Sequence, residues 1–148
     1  MITMISGYPG SGKSTLAKRL AREHGGAALD LDEIANLITG GTIHDARPDI
    51  RATLGVNACM WQLADALAAQ GLDVFIIRHA PGVAEWEAHA KYCARIHVDT
   101  PKDVCRARAE KRGDFDAERF ERACARVDEF LSLYGGKLRH VPGTAADR

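Results

Sequence analysis

A glycine-rich octapeptide, GYPGSGKS, occupies residues 7–14, directly after the apolar run of residues 1–6 and before a stretch with helical periodicity. Glycines let such a loop wrap so that successive backbone N–H groups point inward at phosphate oxygens. In this pattern Lys13 reaches the β and γ oxygens of a nucleotide, and the Ser14 hydroxyl ligates Mg²⁺. The octapeptide, called the phosphate loop below, therefore predicts a nucleotide site between a strand and a helix. The residues predicted to contact the nucleotide are those of the loop, Gly7, Pro9, Gly10, Ser11, Gly12, Lys13 and Ser14, and Thr15 directly after it.

Length and charge limit what the rest of the chain does. A chain of 148 residues predicts a single domain, residues 1–148, which buries one core without disulfides or metals. Lys and Arg together number 20, as do Asp and Glu, so the formal net charge is zero. A zero net charge neither indicates nor excludes a nucleic acid partner, because a local arginine cluster can bind a few phosphates.

Cysteine usage and hydropathy indicate the compartment. The four cysteines are widely spaced, form no CxxC pair and fall in apolar or helical stretches, which favours reduced, structural thiols. No apolar run approaches the roughly 18 residues that span a bilayer, and the N-terminus lacks a basic segment before a long apolar one. We expect a cytoplasmic protein that does not enter a membrane.

Apolar periodicity divides the chain into alternating strands and helices. Strands are predicted at residues 1–6, 27–31, 74–77, 94–98 and 137–141. Helices are predicted at residues 13–24, 33–38, 101–112 and 116–134, and from about Pro48 to residue 70 after a loop at 39–49. Thr100 is expected to cap the helix that Pro101 begins, and Asp116 to cap the last helix. Five strands alternating with helices imply a parallel, three-layer α/β fold with its ligand at the carboxyl ends of the strands.

Three segments together carry a resemblance to a known family. They are GYPGSGKST at residues 7–15, the acidic residues Asp30 and Asp32 at the end of the second strand, and TPKDVCRARAEKRG at residues 100–113. Over almost the whole chain they resemble the P-loop kinases, and most closely the phage-type polynucleotide 5′-kinase domain. The resemblance implies an α/β three-layer P-loop NTPase/kinase fold with a five-stranded parallel sheet of order 2-3-1-4-5. It also implies ATP or another NTP as the donor and a mobile lid at about residues 105–117, but it does not specify the acceptor.

Arg108 and Arg112 match the lid pattern that the resemblance implies. They are four residues apart and share a helix face, whereas Arg106 projects to another side. Because phosphoryl transfer requires the charge on the transferring group to be neutralised, Arg108 is predicted to be catalytic, and both Arg108 and Arg112 to bind nucleotide. The alternative is that these arginines are solvated charges beside Glu110 and Lys111.

Asp32 lies where the polynucleotide kinase pattern places the carboxylate that accepts the proton of the 5′-hydroxyl. The alternative is structural, since an acidic residue just before a short helix is also a good cap. Asp30 would face the same side as Asp32 if the strand extends that far. In that case one carboxylate binds substrate or holds Mg²⁺ through water while the other takes the proton.

The chain departs from the family pattern at two places. Arg78 and His79 follow the third strand, where many P-loop enzymes carry an aspartate that supports the metal. Both are predicted to bind substrate, with Arg78 on a phosphate; alternatively, the active site is degenerate. Ala35 stands where similar polynucleotide kinases carry an arginine for the acceptor phosphate, so Arg47 or Arg51 is predicted to substitute for it.

The remaining candidates are weaker. His44 has no partner at metal-ligand spacing, which argues against a zinc site. Trp61 and Trp86 are expected in packing rather than in base stacking. The loop after the last strand occupies the place where related kinases pass their backbone across the adenine, which implies nucleotide contacts from Gly143 and Thr144.

Together these features predict an ATP- and Mg²⁺-dependent phosphotransferase whose leading acceptor is the 5′-hydroxyl of DNA or RNA. Lys13 and Arg108 would stabilise the transferred charge, Ser14 would hold Mg²⁺, and Asp32 would activate the hydroxyl. A kinase for a small molecule, such as a nucleoside, nucleotide or other metabolite, shares every donor-side residue and is the first alternative. The second is a nucleotide-binding switch or accessory ATPase without kinase activity. The sequence does not distinguish DNA from RNA or ATP from GTP, and it does not indicate an oligomeric state or partner proteins.

Overall fold

Five parallel strands form one sheet in the order β2-β3-β1-β4-β5, as the resemblance implies. The computed structural model describes residues 1–40, 55–113 and 115–143. The strands are β1 (Ile2–Ser6), β2 (Ala27–Asp30), β3 (Val74–Ile77), β4 (Ala94–Asp99) and β5 (Arg139–Pro142). The α-helices are α1 (Lys13–His24), α2 (Leu31–Thr39), α3 (Val56–Ala69), α4 (Val83–Ala88), α5 (Lys102–Lys111) and α6 (Ala117–Tyr134).

The sheet is apolar on both faces because helices cover both. Ile5, Phe75 and Ile77 pack against α1 on one face. On the opposite face Ile76 packs against α3, and Met4 packs against α4 and α6. Successive side chains of a strand point to opposite faces, so the near-continuous apolar runs of β1 and β3 are those of strands buried on both sides. Because β1, β2 and β3 pair in parallel, their carboxyl ends lie together at one edge of the sheet.

The predicted tryptophan packing is confirmed. Trp61 and Trp86 are both buried. Trp86 stacks on Tyr134 with 4.0 Å between ring centroids and meets Phe130 edge to face. These aromatic contacts fasten α4 to α6.

Several predicted boundaries change, each for a local physical reason. Strand β2 ends at Asp30 because α2 begins at Leu31, where the Asp30 carboxylate caps the helix. Strand β5 begins at Arg139, after a 3₁₀ turn at Gly135–Lys137 that continues the last helix. Helix α4 was not predicted, because six residues are too few to show a helical period. The predicted loop at 39–49 and the start of the helix from Pro48 fall largely on residues 41–54, outside the described residues.

The predicted Asp116 cap is confirmed, whereas the interpretation of the cysteines is confirmed only in part. The Asp116 side chain accepts a hydrogen bond from the Arg119 N–H. None of the four cysteines forms a disulfide, and Cys105 and Cys124 are buried as structural thiols should be. Cys59 is exposed, so the structural interpretation is wrong for that residue.

Candidate active site at the carboxyl edge of the sheet

The phosphate loop takes a backbone conformation that its glycines allow. Gly10 has a φ of 81° and Gly12 a φ of 95°, in the left-handed region where a side chain is strained. Gly12 directly precedes α1, which begins at Lys13, so the last two residues of the loop are already helical. The Gly7 N–H donates to the carbonyl of His79 at 3.1 Å, which ties the start of the loop to the end of β3.

Helix α5 and the turn before it lie directly against the phosphate loop. A Cβ on Gly10 would come within 2.8 Å of the Cys105 carbonyl oxygen, so only glycine fits this approach. The Thr100 hydroxyl donates to the Ser11 carbonyl at 2.7 Å, and Arg108 Nη1 donates to the Gly10 carbonyl at 3.2 Å. The prediction that Thr100 caps α5 is therefore wrong: the helix has no side-chain cap, and the Thr100 hydroxyl supports the loop instead.

Lys13 is the most deeply buried cation of the site. The residue is 6 % exposed, and its Nζ donates to the Tyr8 carbonyl at 3.1 Å. Burial lowers the pKa of Lys13 to about 8; the nearby carboxylates of Asp30 and Asp32 oppose this shift, and the positive charge of Arg112 adds to it. The side chains of α2 and α5 thus act on one ammonium group.

The residues present fit a nucleotide and its metal ion. An ammonium has three donors, and Lys13 has one carbonyl acceptor among the described residues, so phosphate oxygens would satisfy the others. Ser11 Oγ is also buried and has no hydrogen-bond partner in the described part of the chain. Ser14 and Thr15 lie half-buried in the first turn of α1, and the Ser14 hydroxyl is the group that would hold Mg²⁺.

The two carboxylates at the end of β2 differ in what they do. Asp30 Oδ1 accepts the backbone N–H of Asp32 at 2.9 Å and caps α2. Burial and then the negative charge of Asp32 raise the pKa of Asp30. Asp32 lies half-buried within the first turn of α2. The alternative that Asp32 caps the helix is therefore wrong, because Asp30 supplies the cap. Asp30 and Asp32 also do not belong to one extended strand, since α2 begins between them.

The arginines of α5 separate by face as their spacing predicts. Arg108 contacts the phosphate loop, and the charge of Arg112 reaches Lys13. Arg106 instead pairs with Glu110 at 3.1 Å and with Glu121 at 3.2 Å. Arg106 is therefore a surface ion-pair residue.

Arg78 belongs to a buried network that the sequence did not reveal. Its Nη2 donates to Glu85 Oε2 at 2.8 Å, and Trp61 Nε1 donates to Glu85 Oε1 at 3.0 Å. The Glu85 side chain is 6 % exposed, and Arg78 Nε is buried without a partner among the described residues. Helix α4 thus supplies a carboxylate, Glu85, near the end of β3, where the family pattern has an aspartate. Both oxygens of Glu85 are occupied, however, by Arg78 and Trp61.

His79 lies half-buried beside the phosphate loop. Its pKa is well below the usual value, chiefly because of burial and then because the positive charges of Lys13, Arg78 and Arg126 act on it. His79 is therefore neutral near pH 7.

The departure at Ala35 has a packing explanation. Ala35 is fully buried against Val56, so an arginine at this position would meet the core instead of the site. The proposed substitutes, Arg47 and Arg51, lie outside the described residues and stay predictions, as does any role for His44.

The end of β5 approaches the same turn that supports the phosphate loop. The Gly143 N–H donates to the Asp99 carbonyl at 3.3 Å, and a Cβ on Gly143 would clash with the Thr100 hydroxyl. Because Thr100 also contacts Ser11, only Thr100 lies between Gly143 and the phosphate loop. Thr144 is outside the described residues and stays a prediction.

A second polar cluster, on β1, β4 and β5, was also missed. Ser6 Oγ lies 2.9 Å from His97 Nδ1, and His140 Nδ1 lies 3.0 Å from Asp99 Oδ2. The only available signal was that His97 and Asp99, two apart on one strand, share a face.

The described residues show neither a cluster of metal-ligating side chains nor a membrane-spanning helix. Across residues 1–40, 55–113 and 115–143, no group of three or more His, Cys, Asp or Glu side chains is placed to hold a metal ion. Within the same ranges, no helix combines the length and the hydropathy that a bilayer crossing needs.

Comparison with known proteins gives the class and then the family. A chain of the Pnkp1/Rnl/Hen1 RNA repair complex matches with a TM-score of 0.71 and 19 % identity, over 89 % of this chain and 45 % of that one. Shikimate kinase from Acinetobacter baumannii in complex with shikimate matches with a TM-score of 0.65 and 20 % identity, over 99 % and 86 %. A gluconokinase from Sinorhizobium meliloti matches with a TM-score of 0.51 and 19 % identity, over 95 % and 79 %. The fold is that of the P-loop kinases.

Sequence comparison assigns the family. The profile of a family described as an AAA domain matches residues 2–136. The chain belongs to this family. None of the curated proteins matches it in sequence.

The close approach at Gly10 leads to a first prediction. Gly10→Ala forces a residue with a side chain into a left-handed conformation, which costs roughly 1–2 kcal/mol. The new Cβ also clashes with the Cys105 carbonyl oxygen. We expect the dissociation constant for ATP, measured by calorimetry, to rise about tenfold or more. Gly82→Ala is the matched control, since its φ is −73° and the space around it is open. Equal ATP affinities for the two variants would contradict this account of the loop.

The lowered pKa of Lys13 leads to a second prediction. Between pH about 8 and 10.5 the folded chain holds fewer protons at Lys13 than the unfolded chain does. This group therefore makes the free energy of unfolding rise with pH in that window, while ATP affinity falls because a neutral amine no longer attracts phosphate. At pH 9, ATP binding should take up about one proton, because the bound phosphates recharge Lys13.

Calorimetry in buffers of different ionisation enthalpy measures this proton uptake. Lys13→Arg remains charged and should abolish it, whereas Lys18→Arg changes an exposed lysine that pairs with Glu33 and should leave it intact. The same uptake in wild type and Lys13→Arg would show that another group takes the proton.

Proposed function

We propose that this chain transfers the γ-phosphoryl group of ATP to the 5′-hydroxyl of a DNA or RNA strand. The observation that carries the proposal is the position of Asp32, in the first turn of α2, where its negative charge acts on Lys13. A hydroxyl bound at Asp32 would thus lie on the side of the phosphate loop opposite α5. Asp30 caps α2 through its Oδ1, and Asp32, within the first turn of the same helix, is assigned as the base.

The transfer balances with these groups. Asp32 accepts the proton of the acceptor hydroxyl, whose oxygen forms a bond to the γ-phosphorus. The bond between that phosphorus and the β,γ-bridging oxygen breaks, so ADP leaves with the electron pair, and the product is a phosphate monoester. The Ser14 hydroxyl would hold Mg²⁺, which when bound would supply part of the charge neutralisation that the transferring phosphates need. Lys13 and Arg108 neutralise the rest.

The donor side is assigned to α5 and the end of β5. Arg108, which donates to the Gly10 carbonyl, would exchange this neutral acceptor for charged phosphate oxygens, which form stronger hydrogen bonds. Arg112 would add a second positive charge near Lys13. Gly143 and Thr144 would pass the backbone across the base.

A nucleic acid acceptor is supported by motif resemblance and by the fold match with a chain of an RNA repair complex. A small-molecule kinase is the alternative that one observation favours. The match with the shikimate kinase covers most of both chains, so the fold of a small-molecule kinase needs little beyond what this chain has. A nucleotide-binding switch is the second alternative, and the Arg78–Glu85 pair in place of a free acidic residue is its support.

The role of Asp32 gives a direct test. Asp32→Asn removes the base but keeps the size of the side chain, so kcat for a 5′-hydroxyl oligonucleotide should fall about 100-fold or more. The KM for ATP should stay within about twofold, since Asp32 does not contact the donor phosphates in this scheme. Glu33→Gln is the matched control on the same helix turn, because Glu33 is exposed and pairs with Lys18. If Asp32→Asn keeps wild-type kcat, Asp32 is not the base.

A further inference from the structure

The side chain of Tyr8 links the phosphate loop to a helix that is distant in sequence. Its hydroxyl donates a hydrogen bond to Asp128 Oδ1 in α6. Neither side chain is fully buried, since Tyr8 is half-buried and Asp128 is exposed. The Tyr8 ring packs against a buried cluster of Cys105 from α5 with Phe120 and Cys124 from α6. The side chain is therefore held by a hydrogen bond at its tip and by apolar contacts along its ring.

The backbone of the same residue holds the centre of the phosphate loop. The Tyr8 carbonyl accepts the Ser11 N–H at 3.0 Å and a hydrogen bond from Lys13 Nζ at 3.1 Å. Lys13 is the buried cation that is assigned to the donor phosphates. A shift of Tyr8 would therefore displace both the turn that Ser11 closes and the ammonium group of Lys13.

Helix α6 can hold Tyr8 while the lid helix α5 changes its contacts. In the proposed function Arg108 of α5 leaves the Gly10 carbonyl for phosphate oxygens. Asp128 belongs to α6 instead, and α6 packs on the sheet through Phe130. The hydrogen bond between Tyr8 and Asp128 thus ties the loop to the sheet by a route that does not include the lid arginine.

We propose that Asp128 is a positioning residue for nucleotide binding: it fixes Tyr8, whose carbonyl holds Lys13 at the site of the donor phosphates. The proposal rests on the proposed function in one respect, that ATP is the ligand of the phosphate loop. A loop that is held in its binding conformation before the nucleotide arrives loses less conformational entropy on binding. Without the hydrogen bond from Tyr8 to Asp128, ATP must itself order the loop, and its affinity falls.

Calorimetric titration with ATP tests this role without any acceptor. Tyr8→Phe keeps the ring in its apolar contacts but removes the hydroxyl, and Asp128→Ala removes the carboxylate. Each variant should raise the Kd for ATP about five- to tenfold. The double variant should bind ATP no more weakly than the weaker single variant, because both substitutions remove the same hydrogen bond.

A conservative variant and a neighbouring residue serve as controls. Asp128→Asn keeps a side-chain oxygen that accepts from the Tyr8 hydroxyl, so its Kd for ATP should stay within about threefold of wild type. Glu129→Gln is the matched control, because Glu129 is exposed next to Asp128 on α6 and should bind ATP as wild type does. Thermal unfolding of each variant, followed by circular dichroism, separates ATP affinity from the stability of the fold.

The outcomes separate the role of Asp128 from the choice of acceptor. Wild-type ATP affinity in Tyr8→Phe and Asp128→Ala would overturn the proposal, even if both variants are less stable. Additive losses in the double variant, or an Asp128→Asn variant as weak as Asp128→Ala, would also overturn it. If the predicted losses appear but no nucleic acid strand is phosphorylated, Asp128 keeps its role and the proposed acceptor is wrong. If wild-type protein does not bind ATP, both proposals are overturned.

Discussion

The buried charge of Lys13 is the constraint around which the rest of the site is arranged. A desolvated ammonium is unfavourable unless acceptors surround it, and the phosphate loop offers it one backbone carbonyl. The carboxylates of Asp30 and Asp32 favour the charged form from one side, while Arg112 opposes it from the other. This balance leaves a cation that gains most from a bound anion. Donors held in place before binding need little reorganisation when charge develops, which is how a phosphoryl-transfer site works.

The backbone around that charge is held by residues far away in sequence. Thr100 supports the Ser11 carbonyl from the end of β4, and His79 accepts the Gly7 N–H from the end of β3. Both supports exist because a parallel sheet brings the carboxyl ends of its strands to one edge. The sheet order then divides the site into two sides. Strands β4 and β5 with α5 border the proposed nucleotide side, and β2 and β3 with α2 border the proposed acceptor side.

Sequence reasoning predicted what depends on local pattern and missed what depends on side chains meeting through space. The phosphate loop and the strand order were predictable, because glycine spacing, apolar runs and a family resemblance encode them. The capping of α2 by Asp30 was not predictable, since it depends on α2 starting at Leu31. Glu85 was missed because its helix is too short to show a period and its partners come from two other elements. The predictions for Arg47, Arg51 and Thr144 fall outside the described residues and stay predictions.

The most direct test of the proposed function asks where the phosphoryl group goes. Wild-type protein, γ-labelled ATP and Mg²⁺ are incubated with an equimolar mixture of a 5′-hydroxyl DNA strand, a 5′-hydroxyl RNA strand, nucleosides, nucleoside monophosphates and shikimate, and the products are separated. Our account predicts label on the 5′ end of a nucleic acid strand, and none when Lys13→Ala protein is used. Label on a small acceptor alone, or only on inorganic phosphate, would contradict it.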